Sequence, residues 1–177
     1  MHSISIDEAY EKNDRMADRL ESLIGSLDEQ QIDYLPDGEK WNIANIVEHV
    51  SIVESGMIRI CAKLLRKAET NGKPADGTIS TSDSFFEKTV EIANLKLEAP
   101  EVVQPTREVS IDESMERLRE NRQHLHELKP SFEKFDGSEY KFPHPFLGEL
   151  SAGEWLTLIG GHKLRHIKQI EKLVGGI

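Results

Sequence analysis

Three histidines stand where a helical reading of the chain places core. His162 and His166 lie four residues apart, in a segment whose other inward positions are Trp155, Leu158, Ile159, Ile170 and Leu173. Advancing about 100° per residue sets both imidazoles on one face, in the middle of that apolar stripe. His49 belongs to a different helical segment, at the edge of a stripe formed by Ile46, Val50 and Val53. An unpaired polar ring costs free energy in such a place, so each must be satisfied. On spacing alone two readings stay open. The rings bond neighbouring carboxylates or carbonyls, or they share a divalent metal ion, as imidazoles at i and i+4 do when a donor on a facing helix joins them.

Other residue types with chemical potential are fewer. Arg122 falls near the centre of the third helix's stripe, with Met115, Leu118 and Leu125. A guanidinium there either clamps a carboxylate or phosphate, which makes Arg122 the substrate-binding candidate, or it pairs with an acid or snorkels to solvent. No catalytic acid or base stands out: Glu48 reads as pointing away from the core stripe, and Glu54 sits at its margin. His124 and His126 read as solvated. His144 suits either a turn or the mouth of the site. Cys61 and Asn13 read as core residues, and Trp41 and Trp155 as packing at helix starts. Gly160 and Gly161 are poor helix formers whose use would be close helix approach.

The elements that must carry these residues are four long amphipathic helices. The first spans about Ile6 to Leu27, with Ser5 as its cap and Glu8 at the capping-box position. The second runs from about Ile43 to Glu69, capped by Asn42 and stopped by Asn71-Gly72. The third covers Ile111 to Lys129, with Ser110 and Glu113 as its box and Pro130 at its end. The fourth covers Ala152 to Val174, with Ser151 and Glu154 as its box. The 28–41 loop is polar, and the connection from Asn71 to Ser110 is long. A short helix over Phe85 to Leu97 and an extended stretch from Glu98 to Ser110 are predicted within it. Asp136 to Leu150 reads as a turn-rich link. Four stripes bury most simply as one all-α domain over 1–177, a four-helix bundle with a long connection between its second and third helices.

Composition narrows the function. The chain of 177 residues carries a formal net charge of -10, which argues against a nucleic-acid partner, whose phosphates ask for a basic face. No apolar run is long enough to span a bilayer, so no membrane partner is expected. The start of the chain lacks the basic and apolar regions of a signal peptide, and one cysteine excludes an internal disulfide. A cytoplasmic location is the expectation.

Trp41 to Val50, with a histidine eight residues after the tryptophan, resembles the second-helix signature of the DinB-like superfamily. Ser151 to Trp155, followed by His162-Lys163-Leu164-Arg165-His166 and Gln169-Ile170, resembles its fourth helix, and His144-Pro145-Phe146-Leu147-Gly148 its lead-in. The resemblance implies a four-helix bundle holding one divalent metal ion, zinc or nickel, on His49, His162 and His166. Three imidazole ligands leave coordination positions open, whereas closed structural zinc sites use four protein ligands. Relatives in that superfamily include low-molecular-weight-thiol transferases, a thiol-dependent isomerase and hydrolases. The implied partner is therefore a small-molecule substrate, with a low-molecular-weight thiol as a candidate; a homodimer is one candidate assembly, and the sequence does not fix the oligomeric state. The alternative is a non-catalytic metal-binding or stress-response interaction protein.

Overall fold

The computed structural model describes residues 2–93, 95 and 97–176; Met1, Asn94, Lys96 and Ile177 lie outside the described residues. Four long helices form the body: α1 (Ile6–Gly25), α3 (Ile43–Asn71), α5 (Ile111–Glu127) and α7 (Ala152–Val174). Their starts follow the capping chemistry of the sequence. The side chains of Asn42, Ser110 and Ser151 each accept the third amide of their helix, and Asn45, Glu113 and Glu154 bond back to complete the box. Gly72, at φ +69°, closes α3 in the left-handed conformation that glycine adopts without a Cβ penalty. Pro130 does not end its helix alone: α5 stops at Glu127, and Pro130 occupies the first turn of a new short helix, α6 (Lys129–Lys134). Another short helix, α2 (Glu29–Asp33), lies in the loop after α1.

The directions of the long helices explain the long connection. Cys61 reaches the Ala152 carbonyl, Lys163 meets Glu54 and the His49 ring lies beside His166, so α3 and α7 are antiparallel. Asn13 bonds the Leu156 carbonyl and Arg19 bonds Glu171, so α1 and α7 are parallel. Arg117 meets Ser51 and Asn121 meets Ser55, so α5 is parallel to α3. At 1.5 Å per residue the 29 residues of α3 extend about 43 Å. The chain must travel back along that whole length before α5 can start, and residues 73–110 do so.

That crossover holds more structure than the extended run predicted for its second half. Its strand β2 (Thr78–Thr81) pairs antiparallel with β1 (His2–Ser5), from His2↔Thr81 to Ser5↔Thr78. Helix α4 (Asp83–Ala93) follows, two residues earlier than the predicted helix, whose last turn includes the undescribed Asn94 and Lys96. A 3-10 turn at Glu101–Val103 interrupts the remainder. The link before α7 is likewise more regular than a turn-rich stretch: β3 (Lys141–His144) and β4 (Gly148–Ser151) form an antiparallel hairpin, with Gly148 at φ +82°.

The core is two apolar clusters, one at each end of the bundle. One contains Leu20, Ile43, Ile46, Val50, Leu118 and Ile170, and the other contains Cys61, Leu64, Leu125, Trp155, Leu156 and Ile159. Buried Ser51, Glu54, Asn121 and Lys163 lie between them. The Lys163 ammonium is 2.8 Å from the Glu54 carboxylate, with the two side chains 5% and 3% exposed. Burial raises the Glu54 pKa and the ammonium opposes that. Asn121 donates to the Ser51 carbonyl at 3.0 Å and accepts from the Ser55 hydroxyl at 2.7 Å.

Removing one member of a buried pair leaves the other charge without compensation, which typically costs about 3–5 kcal/mol. Lys163→Met should therefore lower unfolding stability by roughly that amount in urea denaturation, and Glu54→Leu combined with Lys163→Met should recover most of the loss. Equal losses in the single and double variants would show that the pair itself contributes the stability.

Candidate metal centre

His49 sits in the second turn of α3, while His162 and His166 occupy successive turns of α7. The antiparallel contact of these helices brings all three rings together. The His162 and His166 Nε2 atoms are 3.2 Å apart, and the His49 ring centre is 5.3 Å from that of His162 and 5.0 Å from that of His166. One ring nitrogen from each residue falls within 4.8 Å of the others. His49 and His166 are buried, and His162 is the most exposed of the three.

Hydrogen bonds fix which nitrogen each buried ring offers. The His49 Nδ1 lies 2.7 Å from the Val103 carbonyl, and because a carbonyl only accepts, Nδ1 carries the hydrogen. The His166 Nδ1 is held in the same way by the Gln169 side-chain oxygen at 2.9 Å. Both Nε2 lone pairs are thereby left for another partner, the arrangement usual for metal-ligating histidine. The Trp41 ring packs against His49 with centroids 4.9 Å apart and limits its tilt.

The spacing of the α7 pair suits a divalent ion, as it also suits a hydrogen bond between the two rings. Imidazole nitrogens about 2.1 Å from one ion, at angles between octahedral and tetrahedral, are roughly 3.0–3.4 Å apart. The 3.2 Å between the α7 pair lies in that interval. Electrostatics agree, since a ligand must be neutral to donate. Burial lowers the pKa of His49 against the raising effect of the Val103 carbonyl. Burial takes His166 down to about 3, helped by His49 and opposed by Gln169. His162 falls well below the ordinary imidazole value through burial first, then through His166, His49, Arg165 and His144.

The remaining candidates are placed elsewhere or already engaged. Arg122 lies at the margin of the α5 stripe, whose buried position is Asn121, and its guanidinium bonds Asp14 at 2.8 Å and Asp18 at 2.7 Å on α1. Of the alternatives for Arg122, the structure shows pairing with acids, and none of its described contacts is with the three histidines. Glu48 does not point to solvent as the helical wheel implied. It is 1% exposed and accepts hydrogen bonds from Thr106 and Arg107 of the crossover. Glu54 is buried with Lys163 rather than marginal. His126 bonds Asp14 at 2.9 Å. The His144 Nδ1 accepts from the Phe146 and Leu147 amides, which is its turn role, and its ring packs on Trp155. Cys61 is fully buried with its thiol pushed up to about 12, as a core residue and not a nucleophile. Asn13 bonds the Ala9 and Leu156 carbonyls and nests against Gly160, where an added Cβ would meet its side-chain oxygen at 3.2 Å.

Two contributors were given no role by the sequence reading. Gln169 was detectable, being three residues after His166 and hence on the same helical face. The Val103 carbonyl was not, because a main-chain acceptor has no residue signature.

The lowered pKa values set a sign for stability in the metal-free protein. The unfolded chain takes up protons on histidine near pH 6.5, while the folded chain keeps the three rings neutral. This contribution to stability is complete above that pH and is lost as pH falls toward the folded values. With chelator present, the melting temperature should drop more between pH 7.5 and 5.5 for the wild type than for a His49→Ala/His162→Ala/His166→Ala variant. Equal drops would show that the rings titrate normally in the folded state.

Comparison with known proteins places these features in a family. The chain is 26% identical over 151 residues to the uncharacterized protein YuaE of Bacillus subtilis (strain 168), covering 83% of this chain and 85% of that protein. It is similar in fold to TT2238, described as a four-helix bundle protein, with a TM-score of 0.64 and 22% identity, over 95% of this chain and 99% of the other. The sequence model of the DinB superfamily matches residues 12–170, nearly the whole bundle and all three histidines, and the chain belongs to that superfamily.

Proposed function

We propose that this DinB-superfamily protein binds one divalent ion, zinc or nickel, on His49, His162 and His166 and acts as a metal-dependent hydrolase or low-molecular-weight-thiol transferase on a small electrophile. The observation that carries this reading is the convergence of three neutral imidazoles, two with their Nδ1 atoms committed to Val103 and Gln169, at a spacing suited to one ion. Three protein donors leave positions for an exogenous ligand. When bound, the ion supplies Lewis acidity that favours the deprotonated form of a thiol or a water.

The chain's own residues define what such a reaction needs from outside. In thiol transfer a sulfur–carbon bond forms at the electrophile, the bond to its leaving group breaks, and the thiol proton passes to a base. Glu48 and Glu54 are poorly suited to be that base, since Thr106 and Arg107 occupy one and Lys163 the other. His144 is equally committed, with Nδ1 accepting two backbone amides and only Nε2–H left to donate. Solvent buffer is then the proton acceptor in this reading. The same engaged carboxylates favour the second reading, a non-catalytic metal-binding or stress-response protein.

A cobalt-loaded sample separates the two. Its visible absorption should change on adding a low-molecular-weight thiol, with a response that grows with pH as more thiolate is present. A spectrum unmoved by thiols and small anions alike would mean that the ion is sealed, and the non-catalytic reading would replace the enzyme.

A further inference from the structure

Glu48 is a buried carboxylate one residue before a candidate ligand, and the described hydrogen bonds of its side chain are with the crossover. Its Oε1 accepts from the Thr106 amide at 2.9 Å and the Thr106 hydroxyl at 2.6 Å, and its Oε2 accepts from the Arg107 amide at 3.1 Å. Hydrogen bonds to an ionised acceptor are among the strong ones, and three converge here. Arg107 is the one non-glycine residue with positive φ, at 66°, among those described. Such a conformation is uncommon outside Gly, Asn and Asp and persists where the surroundings hold it. Its amide is one of the three donors to Glu48, and its guanidinium bonds the Lys40 carbonyl at 3.0 Å ahead of α3.

Only two residues separate Thr106 from Val103, whose carbonyl fixes the His49 ring at 2.7 Å. The 3-10 turn ending at Val103 is stiffened by its own bond, Val103 N–H to the Pro100 carbonyl at 3.0 Å, and Pro105 restricts the link that follows. The segment is thus pinned to α3 at consecutive positions, through a carboxylate at 48 and an imidazole at 49. A main-chain carbonyl orients a ring only as well as its own loop is held, and a three-residue turn has little intrinsic stability.

We propose that Glu48 is the positioning residue for His49: by fastening residues 106 and 107 to α3 it holds the Val103 carbonyl on Nδ1 and so presents Nε2 to the site. The purpose of this arrangement rests on the metal-binding reading above, but the effect on the His49 ring does not.

The test uses the full-length, metal-free protein with 15N-labelled histidine. Long-range proton–nitrogen spectra report which ring nitrogen bears the hydrogen, and His49 is assigned by its absence in His49→Asn. In the wild type His49 should be protonated on Nδ1. In Glu48→Ala it should lose that preference and show Nε2 protonation or an averaged signal. His166, held separately by Gln169, should keep its Nδ1 hydrogen in both proteins. Zinc affinity by chelator competition should weaken roughly 10- to 100-fold in the variant, the usual effect of losing support behind a ligand. If Glu48→Ala does not fold, Thr106→Val carries the same test, because it removes one of the three donors and leaves the carboxylate in place. Nδ1 protonation of His49 retained in the folded variant, with unchanged zinc affinity, would overturn the proposal. A wild type that binds no zinc but whose His49 hydrogen still depends on Glu48 would overturn the metal reading and leave the positioning role supported.

Discussion

The antiparallel contact between α3 and α7 is the constraint on which the candidate site depends. It sets His49 against His162 and His166, and the same register sets Glu54 against Lys163 and Cys61 against the Ala152 carbonyl. Apolar packing alone tolerates sliding, since leucine and isoleucine on one helix fit several positions on the next. A buried ion pair tolerates far less, because a misplaced charge would be left unpaired in the interior. The polar layer beside the histidines lowers the apolar content of the middle of the bundle while fixing its alignment. The two apolar clusters at the ends supply most of the burial, and the layer between them supplies the register.

Helix direction has a second consequence. Because α5 runs parallel to α3, the chain between them must return along the bundle, and that return brings it past the start of α3 where His49 lies. The crossover therefore contributes to the site through its main chain, with the Val103 carbonyl on the His49 ring and the Thr106 and Arg107 amides on Glu48. Gln169 gives the corresponding support on α7 from within the same helix. The two sides of the site are thus built differently, one by local helical spacing and the other by a segment more than fifty residues away in sequence.

This difference explains which parts of the site were legible in the sequence. The four long helices followed from stripes at helical spacing and from caps such as Ser151 with Glu154, both of which are local signals. The pair His162 and His166 was visible for the same reason, and His49 was visible because a ring at the edge of an apolar stripe requires a partner. Glu48 was misjudged: a helical wheel shows where a residue points relative to its own helix, and it says nothing of a crossover laid over that face. Arg122 looked central because it is one position from the buried Asn121, and only the neighbouring helix, with Asp14 and Asp18, showed where its charge goes. The β3–β4 hairpin was hidden by prolines that read as turn residues, although Pro143 sits in a two-stranded ribbon where, among the described residues, no further strand calls for the N–H that proline lacks. The Glu54–Lys163 pair was within reach once His49 had been set opposite His166, because antiparallel helices carry residues further along one to residues earlier on the other.

The metal content of the purified protein, free of any affinity tag, bears most directly on the site. Elemental analysis after loading with zinc and removal of excess should give one ion per chain for the wild type, and essentially none when His49, His162 and His166 are all replaced by alanine, because three ligands leave no alternative set. A triple variant that keeps one ion per chain would contradict the site, and a wild type that takes up none would show that the rings are satisfied by hydrogen bonds, through Val103, Gln169 and the His162–His166 contact.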